Sequence, residues 1–151
     1  MVMTFRSLAL SIAIFAATFA ACAGAVEVTE SERRAGEEAA ELAADSDLIA
    51  SGALEGRGGH AMSGTVSLRQ SGSGYILEFG DDFVFDGAPA PVVAFGREGY
   101  RKETQIGSLR QNEGKHFYRI PAAIKTGDFD EVWVWCTDYD VPLGTAKLVR
   151  R

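Results

Sequence analysis

Cysteine, histidine and proline are all scarce in this chain: two, two and four among 151 residues. Neither histidine lies in a Cys-x-x-Cys-His run, which excludes covalent c-type haem attachment. The acids do not cluster at a ligand-like spacing, so a zinc site built from these groups has too few ligands. Basic stripes are missing too. Arg33-Arg34 sits among glutamates and Arg150-Arg151 is a bare terminus, in a chain of net charge -6. That balance excludes nucleic acid as a partner. Ser51, Ser63 and Ser71 lack a Gly-x-Ser-x-Gly context, and no glycine-rich loop opens a helix. Gly56, Gly58 and Gly59 therefore read as turn residues.

What is present begins with a leader. Met1 to Arg6 is a short basic region and Ser7 to Ala21 is uncharged and apolar, as in a secretory signal. Phe19-Ala20-Ala21-Cys22 is similar to a bacterial lipobox, with Phe19 where that motif usually carries Leu. Residues 1–22 are thus expected to be a signal peptide with Cys22 as its lipidation site. Cleavage after Ala21, Ala23 or Ala25, or retention as an anchor, are the alternatives. Each puts the domain in the extracytoplasmic cell envelope, as a membrane-anchored lipoprotein or a secreted protein.

Residues 23–50 form a helical or flexible linker. Thr29-Glu30-Ser31-Glu32 has capping-box spacing, and Ala35, Ala39, Leu42, Ser46 and Ile49 follow at helical intervals. The stripe is thin and mostly alanine, which predicts a marginal tether ended by Ser51-Gly52.

From residue 51 to 151 the period changes to alternation. Met62, Val66 and Leu68 oppose Thr65, Ser67 and Arg69. After Ser71-Gly72-Ser73-Gly74 comes a second run with Tyr75, Leu77 and Phe79 on one parity. Further strands are expected at Phe83–Phe85, at Val92–Phe95 (an edge, given Pro89 and Pro91), at Thr104–Arg110, at His116–Ile120 and at Leu143–Val149. The fold class is all-β: a small antiparallel β-sandwich or barrel.

Glu131-Val132-Trp133-Val134-Trp135-Cys136 is the most strand-like stretch of all. Alternation puts Val132, Val134 and Cys136 on one face and Glu131, Trp133 and Trp135 on the other. A reactive thiol needs a nearby cation or helix N-terminus and access to solvent. The flanking valines and the loop acids Asp138 and Asp140 oppose the thiolate, whereas the position at a strand end favours access. Core packing and chemistry both stay open for Cys136. The two tryptophans are either half of the core or a partly exposed platform. Asp81, Asp82 and Asp86 read as solvated turns before a weak calcium site. His116, beside the turn Asn112-Glu113-Gly114, is expected at the surface.

Several pieces in fixed order carry a resemblance: Gly59–Val66, Leu77-Glu78-Phe79, Asp82-Phe83, Asp86-Gly87-Ala88-Pro89, Ile106–Leu109, Tyr118–Ala122, Val132–Cys136 and Val141–Leu148. Over residues 51 to 149 the chain resembles the DM-thirteen domain, an electron-transfer module often found beside DOMON domains. Ala90 stands where that family tends to carry an acid. The resemblance implies a β-rich extracytoplasmic domain with Cys136 as redox centre, either as a bare thiol or as ligand to a prosthetic group such as haem. His60, in the matching Gly-His segment, would be the second cofactor ligand. The leading expectation is an electron-transfer module with a redox partner protein in the envelope. A non-catalytic interaction module and a thiol-based oxidant sensor are the alternatives.

Overall fold

The computed structural model describes residues 28–151. The expected signal peptide and lipobox, with Cys22, lie outside the described residues. Helix α1 (Glu30–Ala44) is followed by β1 (Asp47–Gly56), β2 (Met62–Ser63), β3 (Thr65–Ser71), β4 (Gly74–Phe79), β5 (Val84–Phe85), β6 (Pro91–Gly96), β7 (Gly107–Ser108), β8 (His116–Ile120), β9 (Glu131–Cys136), β10 (Val141–Lys147) and β11 (Val149–Arg150). One antiparallel sheet runs in the order β7-β6-β9-β10-β1-β3-β4-β8, with β11 also on β1. Strands β2 and β5 form a separate two-stranded cap.

The sheet curls until its two edges meet, giving a nearly closed barrel. A side chain rather than a strand ladder closes the seam. The Tyr118 hydroxyl on β8 accepts from the Arg110 N–H at 2.9 Å and donates to the Ser108 carbonyl at 3.0 Å. Inside the wall lie Val66, Leu68, Leu77, Phe79, Phe83, Phe95, Leu109, Tyr118, Val132, Val134 and Leu143, each at most 1% exposed. Burying one such side chain is worth about 1.5–3 kcal/mol.

Several strand expectations change, and of the stretch Thr104–Arg110 only Gly107–Ser108 is strand, Thr104 ending a short 3-10 turn. Strand β1 starts at Asp47, so Ile49 and Ala50 belong to the sheet and not to a helical stripe. Ser51-Gly52 does not end the helix; Gly52 sits mid-strand where a Cβ would come within 2.2 Å of the Lys147 carbonyl oxygen. The run from Met62 splits at Gly64, whose φ of +119° turns Met62 and Ser63 away to pair with Phe85 and Val84. Strand β6 lies between β9 and β7 and is not the edge; Pro91 occupies its first position and the two-residue β7 is outermost.

Helix α1 is held by the expected capping box, with Glu32 N–H donating to the Thr29 hydroxyl and Thr29 N–H to the Glu32 carboxylate. It lies across the outer face of the sheet. Ala39 and Ala43 are buried against Ile76 and Phe117, while Ala35 and Leu42 stay exposed. The helix thereby covers edge strand β8.

Candidate functional site

Antiparallel pairing gathers the chemistry at one end of the barrel. Gly56 faces Gly144, Ala53 faces Thr65, Phe79 faces both Val66 and His116, and Cys136 faces Val141 and Pro91. Strands β1, β4 and β9 therefore end there, and β3, β6, β8 and β10 begin there. The β2–β5 cap and the 86–90 loop close this end.

Cys136 points inward, as do Val132 and Val134, and is 1% exposed. Its thiol donates to the Pro89 carbonyl oxygen at 3.1 Å. Around it Pro89 and Ala90 are exposed, as is the 137–140 turn that follows the sulfur, whereas Ala88 of the same loop packs against the core. Thr137 fastens this cover, its N–H donating to the Ala90 carbonyl at 3.1 Å and its hydroxyl at 3.2 Å. Ala90 has a φ of +42°, a conformation that a Cβ disfavours and that aspartate and asparagine tolerate better.

Asp86 clamps the other end of the loop. Its carboxylate accepts from the Ala61 N–H at 2.9 Å and lies 3.0 Å from His60 Nδ1. The Ala61 N–H, then the His60 ring, hold the Asp86 carboxyl below the usual range. Asp82 accepts from the Thr65 N–H and hydroxyl at 3.0 and 2.8 Å, with the same effect. Asp81 pairs with Lys115. These aspartates are thus occupied with protein donors and cations. Among the described residues no group of three or more His, Cys, Asp or Glu is arranged to hold a metal ion.

His60 sits at this end, partly exposed, its ring 5.8 Å from that of Phe85. His116 corrects the expectation of a surface residue. It is 5% exposed, stacked on Phe79 at 4.5 Å and 11°, with Phe83 and Tyr118 around it. Nδ1 is 2.9 Å from the Gly114 carbonyl, which can only accept, so Nδ1 carries the hydrogen. Nε2 has no hydrogen-bond partner. Burial pushes the imidazole down to about 4.

The aromatic face of β9 points outward. Trp135 stacks on Tyr100 with centroids 4.3 Å apart and planes 2° from parallel, and meets Trp133 edge-on at 6.2 Å. Each indole N–H donates to a carboxylate: Trp135 to Asp140 at 3.0 Å, and Trp133 to Glu131 at 2.9 Å. Glu131 also accepts the Gly99 N–H at 2.9 Å, and Gln105 donates to the Tyr100 hydroxyl. Tyr100 and Asp140 escape a sequence reading because their role comes from pairings that only the fold creates.

A haem does not fit this arrangement while the 86–90 loop is closed. Ligation would need the sulfur free, yet it donates to the Pro89 carbonyl and is packed in the core. The cleft between the β3–β4 hairpin and residues 119–127, that on the outer face of β1, β9 and β10, and that between α1 and β8 are lined by neither Cys136 nor His60.

The fold and site define a class: a small, nearly closed antiparallel β-barrel with, among the described residues, a single thiol buried beside the 86–90 loop. The family described as Electron transfer DM13 matches residues 54–148, more than half of the chain, and the protein belongs to it. No curated protein and no solved structure matches the chain.

Proposed function

We propose that this protein is an extracytoplasmic electron-transfer module whose redox-active group is the Cys136 thiol, exposed when the 86–90 loop lifts. The carrying observation is the position of the sulfur: 1% exposed, donating to the Pro89 carbonyl, and beside a loop that is pinned at its two ends and exposed at Pro89 and Ala90. Once uncovered and deprotonated, the sulfur attacks one sulfur of a partner protein's disulfide. A mixed disulfide forms and the partner's other sulfur leaves as a thiolate. Closing the loop would shield the remaining thiols of the population from oxidation. A leader ending at Cys22 would deliver the barrel to the cell envelope, with the membrane reached through lipid on that cysteine and the redox partner in the same compartment.

The test is an absorption spectrum and a thiol titration on the same native sample. The thiol reading expects a colourless protein whose Cys136 reacts slowly when folded, and faster in Asp86→Ala. A Soret band abolished by Cys136→Ser would replace it with haem ligation. A sulfur that reacts only in denaturant, in both proteins, would leave Cys136 a packing residue in an interaction module.

A further inference from the structure

The outward face of β9 carries chemistry that the sulfur does not need. Trp135 and Cys136 are neighbours on one strand but face opposite sides of the wall, so the indole reaches the surface where the thiol does not. Three features distinguish this indole. It lies flat against Tyr100 at 4.3 Å, which spreads charge over two π-systems. Its N–H points at the Asp140 carboxylate at 3.0 Å, a built-in proton acceptor. And Asp140 is held there by the turn in a left-handed conformation, φ +53°, which aspartate tolerates better than most residues. An indole that loses an electron becomes strongly acidic at nitrogen. A carboxylate already bonded to that hydrogen takes the proton without rearrangement.

We propose that Trp135, with Tyr100 stacked on it and Asp140 as proton acceptor, is a one-electron port on the outer face of the barrel. The partner is a one-electron oxidant that docks against the partly exposed Trp135 indole. The step balances as follows. One electron leaves the Trp135 ring for the oxidant, the Nε1 proton crosses to the Asp140 carboxylate, and a neutral indolyl radical faces a carboxylic acid. A one-electron reductant then returns one electron to the ring and is itself oxidised, and the proton goes back from Asp140 to Nε1. Trp133 is the weaker site, because Glu131 already shares its acceptor oxygen with the Gly99 N–H. The proposal rests on the family's electron-transfer role and not on the sulfur.

The experiment uses a photogenerated ruthenium(III) polypyridyl complex as oxidant on the full chain, with transient absorption as readout. The native protein is expected to give the neutral indolyl spectrum, and Trp135→Phe to lose it. Asp140→Asn is the sharper variant. Asparagine keeps the turn conformation and an oxygen for the N–H but cannot take a proton. The cation radical should then replace the neutral one. Cys136→Ser should leave the native signal intact, so a failed port and a failed thiol reading give different results. An unchanged radical in Trp135→Phe, the same neutral radical in Asp140→Asn, or a signal lost with the sulfur would each overturn the port.

Discussion

His116 should make the barrel sensitive to acid between about pH 6.5 and 4. The unfolded chain takes up the imidazole proton near 6.5, whereas burial among Phe79, Phe83 and Tyr118 delays this to about 4 in the folded chain. The folded pKa is depressed. The stabilisation is therefore complete above pH 6.5, falls as pH drops, and is lost by about pH 4. At about 1.4 kcal/mol per pH unit, the difference amounts to about 3 kcal/mol. That is a large share of the roughly 5–15 kcal/mol that holds a domain of this kind together. In a thermal melt it corresponds to roughly 10–20 °C between pH 7 and pH 4. Asp82, Asp86, Asp130 and Glu32 also have lowered carboxyl pKa values, so they act in the same direction but at lower pH. The His116→Phe variant separates the two, since it keeps the stack on Phe79 and removes the titration. Urea unfolding of both proteins from pH 7.5 to 4 should show the native curve falling steeply and the variant nearly flat until about pH 4.5. Parallel curves, or a native protein indifferent to pH across that window, would refute the assignment.

The remaining expectations concern the seam, the cap and the cover. Tyr118→Phe strips the seam of its clasp and leaves the Arg110 N–H and Ser108 carbonyl without that partner. It should cost about 1–3 kcal/mol by denaturant melt and speed amide exchange at residues 107–110. Gly64→Ala puts a Cβ 2.6 Å from the Phe83 Cα at a positive φ, and should destabilise by about 2–4 kcal/mol in the same melt. Ala90→Gly relieves the left-handed strain beside the sulfur and should stabilise by about 1 kcal/mol, or loosen the cover without any loss. A calorimetric loss of stability in that variant would contradict the strain argument.

The tryptophan strand is the part of the fold most legible in the sequence. Its alternation, its ends and the two faces all follow from six residues without a breaker. Which face turns inward does not follow, because a tryptophan is as suited to a core as a valine. In the structure the aromatic part of the core comes from Phe79, Phe83, Phe85, Phe95 and Tyr118, and both indoles lie on the outer face. His116 carries two opposing signals. Its parity with Tyr118 and Ile120 marks the inner face, whereas the adjacent Asn-Glu-Gly turn predicts exposure. Strand β1 was hidden for a different reason. Ser51-Gly52 looks like a helix stop, and only the crossing of the Lys147 backbone explains why a glycine is needed mid-strand. The clamp between Asp86, His60 and Ala61 joins residues 25 and 26 positions apart, a pairing no local pattern records.

The central claim is that Cys136 reacts from the folded state once its loop lifts. Incubating the native full chain with glutathione disulfide and weighing the product tests it directly, with peptide mapping to separate Cys136 from Cys22. A single glutathione adduct on Cys136 is expected, forming about tenfold faster in Asp86→Ala, which corresponds to about 1.4 kcal/mol of lost clamping. A Cys136 that stays unmodified in both folded proteins, and reacts only after denaturation, would contradict it.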